Sequence, residues 1–494
     1  MITSFPILIP FLTAVLLLFL KQTPRLQKIV GVTGVVIQFI VSLFLLFLTR
    51  RSGIQVMYVG GWEAPFGIPL VIDLFSAILL VVSGIIGLCV AVYAISSIDS
   101  QRKSFGFYFF LHTMLMGVNG SFISGDVFNL YVWFEVMLMA SFALLALGNE
   151  KQQLEGSVKY ITISLLSSFF FLAGIALLYG KAGTLNMAHL AQLFSSETNG
   201  IDTSTIAMLF FIAFGIKAAL FPFFFWLPAS YHTPPVTITA FFAGLITKVA
   251  VYALIRFFTL FLIQDRGFWQ PMILIVAGFT MLIGVLAAAS QMEIRRILSF
   301  HIISQIGYMM MGLGLFTTLS VAGGIYFMVH NIFAKTNAFL VGGLINKLQN
   351  SYFLKKTGGL FNAKPGLAFL FFIPGMALAG IPPLSGFFGK FILIKASFDT
   401  EHYVIGATSL LVSLITLYSM MKIWNYSFWK ENTHDNNAIS NKRLKFTDVL
   451  PSVILAFLSI FMGIAAAYVF DLCLDAAKQL MDRTGYIQTV IGHN

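Results

Sequence analysis

Charge is what this sequence has least of. Asp, Glu, Lys and Arg make up 10% of its 494 residues, where a water-soluble domain uses about a quarter. Hydrophobic residues account for 58% and the mean hydropathy is +0.90. Too little polar surface remains to cover a soluble fold, which excludes soluble enzymes, nucleic-acid binders and secreted scaffolds. Cysteine is nearly absent as well. Cys89 and Cys473 lie in or beside apolar segments without metal-ligand or redox spacing, so they read as small apolar packers. No Gly-rich phosphate loop or dinucleotide fingerprint occurs, no strands are expected, and no His, Cys or carboxylate cluster has metal spacing, so neither metal nor cofactor is expected. Acidic residues number only 19 against 30 basic ones, too thin an array for the oxygen cage that a dehydrated metal cation needs.

The excess of +11 sits in short runs between apolar stretches, such as Lys21/Arg25/Lys28, Arg102/Lys103, Arg295/Arg296 and Lys442/Arg443/Lys445. That is the positive-inside pattern of a polytopic membrane protein, with no nucleic-acid partner implied. A spanning helix takes about 20 apolar residues. Fourteen such segments are expected, near 4–20, 29–49, 70–95, 106–124, 127–147, 158–180, 204–227, 236–260, 270–290, 298–316, 320–346, 367–397, 403–428 and 448–470. The odd-numbered connections carry most of the Lys and Arg, which puts them in the cytoplasm and both termini outside. The first segment lacks a basic lead and a cleavage site, so it reads as a retained helix. Residues 184–202 suggest a short amphipathic surface helix, and 429–446 a solvated loop.

Segment 7 (GIKAALFPFFFWLP) and segment 12 (GMALAGIPPLSGFFGKFILIKA) are both interrupted by proline and both carry a lysine. They are five helices apart, an odd number, so equivalents would run in opposite directions. This predicts two inverted five-helix repeats, helices 4–8 (106–260) and 9–13 (270–428), after helices 1–3 (1–95) and before helix 14 (448–470), in one all-α membrane domain.

A charge at the centre of a spanning helix costs about 2.5–3.5 kcal/mol on insertion scales. Most charges here avoid that position. Glu135, Lys217, Lys248, Lys335 and Lys390 do not. Glu135 lies ~13 Å into segment 5, counted from Asp126 at 1.5 Å per residue. Lys217 precedes Pro222, which cannot donate to the carbonyl of Ala218, so a free acceptor and a water are expected beside the lysine. Low dielectric favours a neutral amine and a nearby carboxylate favours the ammonium. Moving Glu135 relative to Lys217 would therefore switch the lysine's proton. Lys248 is the next station. His330 and Lys335 share segment 11, about 140° apart on a regular helix, so either they face different neighbours or a π-bulge brings them together. Pro382-Pro383 free the carbonyls of Leu378 and Ala379 near Lys390. Ser167, Thr237, Thr247, Ser304, Gln305 and Thr336 are polar fillers that hold waters or bind helix to helix. His232, in ASYHTPPVT, and His301 are candidates for proton entry or exit, whereas His112, His189, His402, His434 and His493 read as ordinary end or loop residues.

Glu135, Lys217 before FPFFFWLPASYHTPPVTITA, Lys248, HNIFAK and GIPPLSGFFGKF resemble the antiporter-like membrane subunits. These occur in respiratory NADH:quinone oxidoreductase (complex I), in membrane-bound hydrogenases and in multisubunit Mrp-type Na⁺/H⁺ antiporters. The resemblance covers nearly the whole chain. It implies fourteen helices, the two inverted repeats, and a proton relay of Glu135, Lys217, Lys248 and Lys390. The chain extends about 24 residues past segment 14, and with Lys390 and the GIPPLSGFFGKF wording this resembles the D-type Mrp subunits best. The resemblance implies a secondary transporter rather than an enzyme. It would sit in a bacterial cytoplasmic membrane with a larger A-type subunit and small hydrophobic subunits, carrying H⁺ against Na⁺. The same relay would serve a redox-driven pump subunit.

Overall fold

The computed structural model describes residues 2–21, 23–195, 203–431 and 442–492; His434, His493, the exit of the 184–202 stretch and most of the 429–446 loop lie outside the described residues. Eleven helices among the described residues are long and apolar enough to cross a membrane, and two shorter apolar ones accompany them. Apolar side chains on every face leave the backbone no partner but itself, and a helix satisfies each amide internally.

In chain order the helices are α1 (Phe5–Phe19), α2 (Pro24–Ser52), α3 (Leu74–Ser97), α4 (Ser100–Ser104), α5 (Phe107–Ile123), α6 (Val127–Ala146), α7 (Lys151–Ala182) and α8 (Met187–Leu193). Then follow α9 (Ser204–Ala218), α10 (Trp226–Ser230), α11 (Val236–Gly244), α12 (Ile246–Leu260), α13 (Arg266–Ser290), α14 (Ile294–Gly314) and α15 (Thr318–Gln349). The rest are α16 (Leu360–Ala363), α17 (Pro365–Ala379), α18 (Ser385–Asp399), α19 (Tyr403–Trp424), α20 (Phe446–Ile464), α21 (Ala466–Met481) and α22 (Arg483–Ile491).

Contrary to the expectation of no strands, Gln55–Tyr58 (β1) and Pro69–Ile72 (β2) form an antiparallel hairpin, with Gln55 opposite Ile72. Two isolated backbone bridges also recur at the same sequence interval. Asp126 pairs with Asn186 beside α6, and Glu293 pairs with Phe353 beside α14.

α15 is the axis of the molecule, buried from Ser320 to Ile345. α11 and α12 are buried throughout. α1, α2 and α7 form an outer layer that presents Leu12, Leu16, Phe47 and Phe169 to the surroundings, as a lipid-facing surface does.

Four discontinuities position the polar groups. α9 stops at Ala218 because Ala219 turns left-handed (φ 60°) ahead of Pro222. α17 stops at Ala379, where Gly380 takes φ 88° ahead of Pro382-Pro383. Those two breaks fall where the prolines placed them. The other two do not announce themselves in the sequence. α11 and α12 meet at a kink on Leu245 (φ −114°, ψ −48°), and α20 and α21 meet at Ala465 (φ −93°, ψ 30°). The last helical pass therefore runs past the expected end at 470, to Met481, in two pieces. At the Ala465 break, a Cβ on Gly463 would collide with the Pro383 carbonyl oxygen, so the breaks of α17/α18 and α20/α21 are in direct contact. Tyr326 of α15 donates to the freed Met462 carbonyl, 2.7 Å away.

Candidate functional site: a buried row of ionisable groups

The spacing on α7 aims Ser168 at the gap between α6 and α9. Its hydroxyl donates to Glu135 Oε1, and Lys217 Nζ donates to the same hydroxyl at 3.3 Å. Carboxylate and amine are thus joined through a serine, which replaces the direct contact that the sequence suggests. The lysine also lies over the Phe134 ring, 5.3 Å from its centre. Its hydrogen-bond partner among the described residues is Ser168. Helical side chains lean toward the N-terminus, so Lys217 reaches back from the break that follows it. Leu220 N takes the Gly215 carbonyl, and both Ala219 N and Trp226 Nε1 donate to Ile216.

The same lean brings Lys248 and Lys390 onto the breaks that precede them. Lys248 Nζ donates to the Ala243 carbonyl at 2.5 Å, across the kink. Lys390 Nζ donates to Leu378 O at 2.9 Å and Ala379 O at 3.1 Å, the two carbonyls that the prolines free. Its ammonium also sits 5.1 Å from the centre of the Tyr308 ring.

Lys335 is wholly buried and its Nζ has no hydrogen-bond partner among the described residues. It lies within electrostatic reach of both Lys248 and Lys390. His330 turns toward α18, with Nδ1 2.7 Å from Ser385 Oγ, which in turn lies 3.1 Å from Ser459 of α20. α15 is regular α-helix here, so His330 and Lys335 face different neighbours and no π-bulge joins them. His301 Nε2 bonds Ser419 of α19, and His301 feels the charges of Lys335 and Lys390. The structure thus gathers Lys248, Lys335, Lys390, His330 and His301 in one region and Glu135 with Lys217 in another; no direct hydrogen bond joins Lys217 to Lys248 among the described residues. Buried side-chain atoms of Thr247, Gln305 and Asn331 also lack partners among the described residues.

His232 lies between α10 and α11, its Nδ1 2.8 Å from the Pro228 carbonyl and its Nε2 3.3 Å from Arg296. It lines a cavity of about 680 Å³ with Gly156, Lys159, Glu293, Arg295 and Arg296. Burial, then Arg296 and Arg295, outweigh the Pro228 carbonyl and Glu293 and hold its imidazole below the ordinary 6.5. Of the remaining histidines, His112 departs from expectation. It is buried in the middle of α5, with Nε2 2.9 Å from the Gly31 carbonyl, and fastens α5 to α2. Cys89 and Cys473 are both buried and free.

Ser168 is the functional neighbour that sequence reasoning misses, while it does single out the adjacent Ser167. Ser167 donates to the Ala213 carbonyl at 2.7 Å and so binds α7 to α9. The signal that could have found Ser168 is the i, i+4 row Tyr160, Ser164, Ser168 on one face of α7.

Against known proteins, residues 124–416 match the family described as NADH:quinone oxidoreductase/Mrp antiporter, transmembrane region. The chain is 46% identical over 487 residues to the D-type subunit of the Na⁺/H⁺ antiporter from Alkalihalophilus pseudofirmus, covering 98% of each chain. It is 37% identical to the protein of the same name from Bacillus subtilis, again over 98% of each. Among solved structures it resembles a chain of the Mrp complex from Dietzia sp. DQ12-45-1b, with a TM-score of 0.93, 30% identity and 99% of each chain covered. A chain of an archaeal membrane-bound sulfane sulfur reductase aligns with a TM-score of 0.91 at 25% identity, again over 99% of each. Fold and sequence agree along the full length, and the chain belongs to the family of NADH:quinone oxidoreductase/Mrp antiporter membrane subunits.

Proposed function

We infer that this chain is the D-type, proton-translocating subunit of a multisubunit Na⁺/H⁺ antiporter in a bacterial cytoplasmic membrane. It works beside a larger A-type subunit and small hydrophobic subunits. The observation that carries the relay is the Glu135–Ser168–Lys217 bridge, set inside a chain that matches D-type subunits from end to end. Protons pass from that bridge through Lys248 to Lys335, His330 and Lys390, with His232 and His301 at the entry or exit. Buried polar atoms without protein partners along this route are the kind that ordered water satisfies. The inward proton gradient then drives Na⁺ out.

In this reading the chain makes fourteen passes with both termini outside, and residues 106–260 and 270–428 are inverted repeats. The paired bridges Asp126–Asn186 and Glu293–Phe353 support the repeat, because they recur at one sequence interval. At that interval Ser164 falls on Asn331 and Ser168 on Lys335. The test is Na⁺/H⁺ exchange by the assembled complex. Glu135→Ala and Lys217→Ala are each expected to lower the rate at least tenfold with assembly intact. Wild-type rates in both would end the assignment. Purification of the tagged complex with flavin or iron–sulfur subunits would move the relay to a redox pump.

A further inference from the structure

We propose that the hydroxyl row of α7 is the proton inlet to the Glu135–Lys217 pair, fed from the charged cavity beneath it. This rests on the relay reading above and extends it from Ser168 to Ser164 and Tyr160. Tyr160, Ser164 and Ser168 stand at i, i+4 and i+8, on one face of α7, and all three are buried. Gly156, one turn earlier on that face, lines the cavity, and so do Glu155, Lys159, His232, Glu293 and Arg296. The row begins where the cavity ends.

From there the row continues. Tyr160 Oη lies 2.7 Å from Ser141 Oγ of α6, and Ser164 is close enough to act on the same hydroxyl. Ser168 touches both Glu135 and Lys217. Between Ser164 and Ser168 the Cβ separation of an i, i+4 pair is about 5–6 Å, the span of a single bridging water. A hydroxyl both donates and accepts, which is what a passing proton requires. At Ser168 the incoming proton forms a new O–H bond as the existing one, pointed at Glu135, breaks. The released proton bonds to Oε1, the carboxylate becomes a carboxylic acid, and the hydroxyl is restored facing the other way. Protonation thus removes the Glu135 charge that held the Lys217 ammonium, and the lysine is free to pass its proton onward.

The corresponding row in the second half strengthens the argument. At the interval fixed by the two backbone bridges, Ser164 and Ser168 answer to Asn331 and Lys335, which also share one face of a buried helix. The α7 row is thus the polar lane of the first half, as the α15 row is of the second.

Exchange by the assembled complex in vesicles tests the inlet. Ser168→Ala is expected to lower the rate about tenfold and Ser168→Thr, which keeps the hydroxyl, to stay within about threefold of wild type. Tyr160→Phe and Ser164→Ala are expected to be several-fold slower and to depend more steeply on the pH of the cavity side. Ser167→Ala, whose hydroxyl only ties α7 to α9, serves as the control and keeps its pH profile. Wild-type rates in all three row variants, with Glu135→Ala inactive, would overturn the inlet and leave the pair standing. An active Glu135→Ala would overturn the pair as well. Should a row variant not assemble, Lys159→Cys at the cavity wall decides the matter. A bulky thiosulfonate added from the cavity side is expected to label it and to slow exchange several-fold, since both native cysteines are buried. Exchange unchanged by full labelling refutes the proposal.

Discussion

At the scale of single residues, the direction in which a helical side chain leans decides what each lysine can hold. Lys248 and Lys390 follow a break and reach back to its bare carbonyls, whereas Lys217 precedes one and turns to Ser168 instead. The ionisable groups themselves were legible in the sequence, because a charge inside an apolar run has few innocent explanations. Ser168 was not, since serine in a membrane helix is usually packing glue. His232 yields a prediction outside the membrane-spanning helices. Its imidazole is held below 6.5 in the folded protein, so the unfolded chain binds that proton first. Folded stability therefore falls as pH drops below about 6.5 and levels off once the folded imidazole protonates too. Thermal melts at pH 7.5 and 5.5 should show a smaller acid loss in His232→Gln than in wild type. Equal slopes would mean that the imidazole is not held neutral.

At the scale of elements, breaks made by proline were readable and breaks made by packing were not. Pro222 and Pro382-Pro383 mark two of them in the sequence. The kinks at Leu245 and Ala465 have no proline; Lys248 takes up the Ala243 carbonyl at the first and Tyr326 of α15 the Met462 carbonyl at the second. The β1/β2 hairpin escaped notice because each strand is only four residues long. Gly463 is an exacting position, with the Pro383 backbone where a side chain would go. Gly463→Ala should push α20 away from the α18 start and destabilise the fold by about 1–3 kcal/mol, as overpacking does. The shift should also weaken the Ser385–Ser459 contact beside His330. A melting temperature within one degree of wild type would show that the two breaks are not mechanically joined.

At the scale of the whole molecule, the terminal helices close the structure against the face that carries the hairpin and α8. Arg483 donates to the carbonyls of Leu260 (2.8 Å) and Ala191 (3.0 Å), Gln479 accepts from Leu74 N (2.7 Å), and Tyr58 bonds the Val490 carbonyl. Beneath them Arg256 pairs with buried Asp73 and lies over the rings of Tyr252 and Tyr486. This closure was invisible in the sequence because most of its partners are backbone groups hundreds of residues away. Hydrogen bonds to a charged group are worth about 1.5–3 kcal/mol. Arg483→Ala should therefore raise local opening of residues 483–491 on the order of tenfold or more, read as faster amide exchange. Unchanged exchange there would show that α22 is held by its apolar side alone. Lys248 and Lys390, by contrast, cap broken helices deep in the interior. When the Lys390 ammonium swings away, it strips the carbonyls of Leu378 and Ala379, at a cost of about 1–3 kcal/mol for each one left unmatched. Each resting position acts as a detent. A lysine so held stays until a competing acceptor or a lost charge pulls it out; in the proposed relay, charge would then advance in clicks, and a stalled cycle would hold its place instead of leaking.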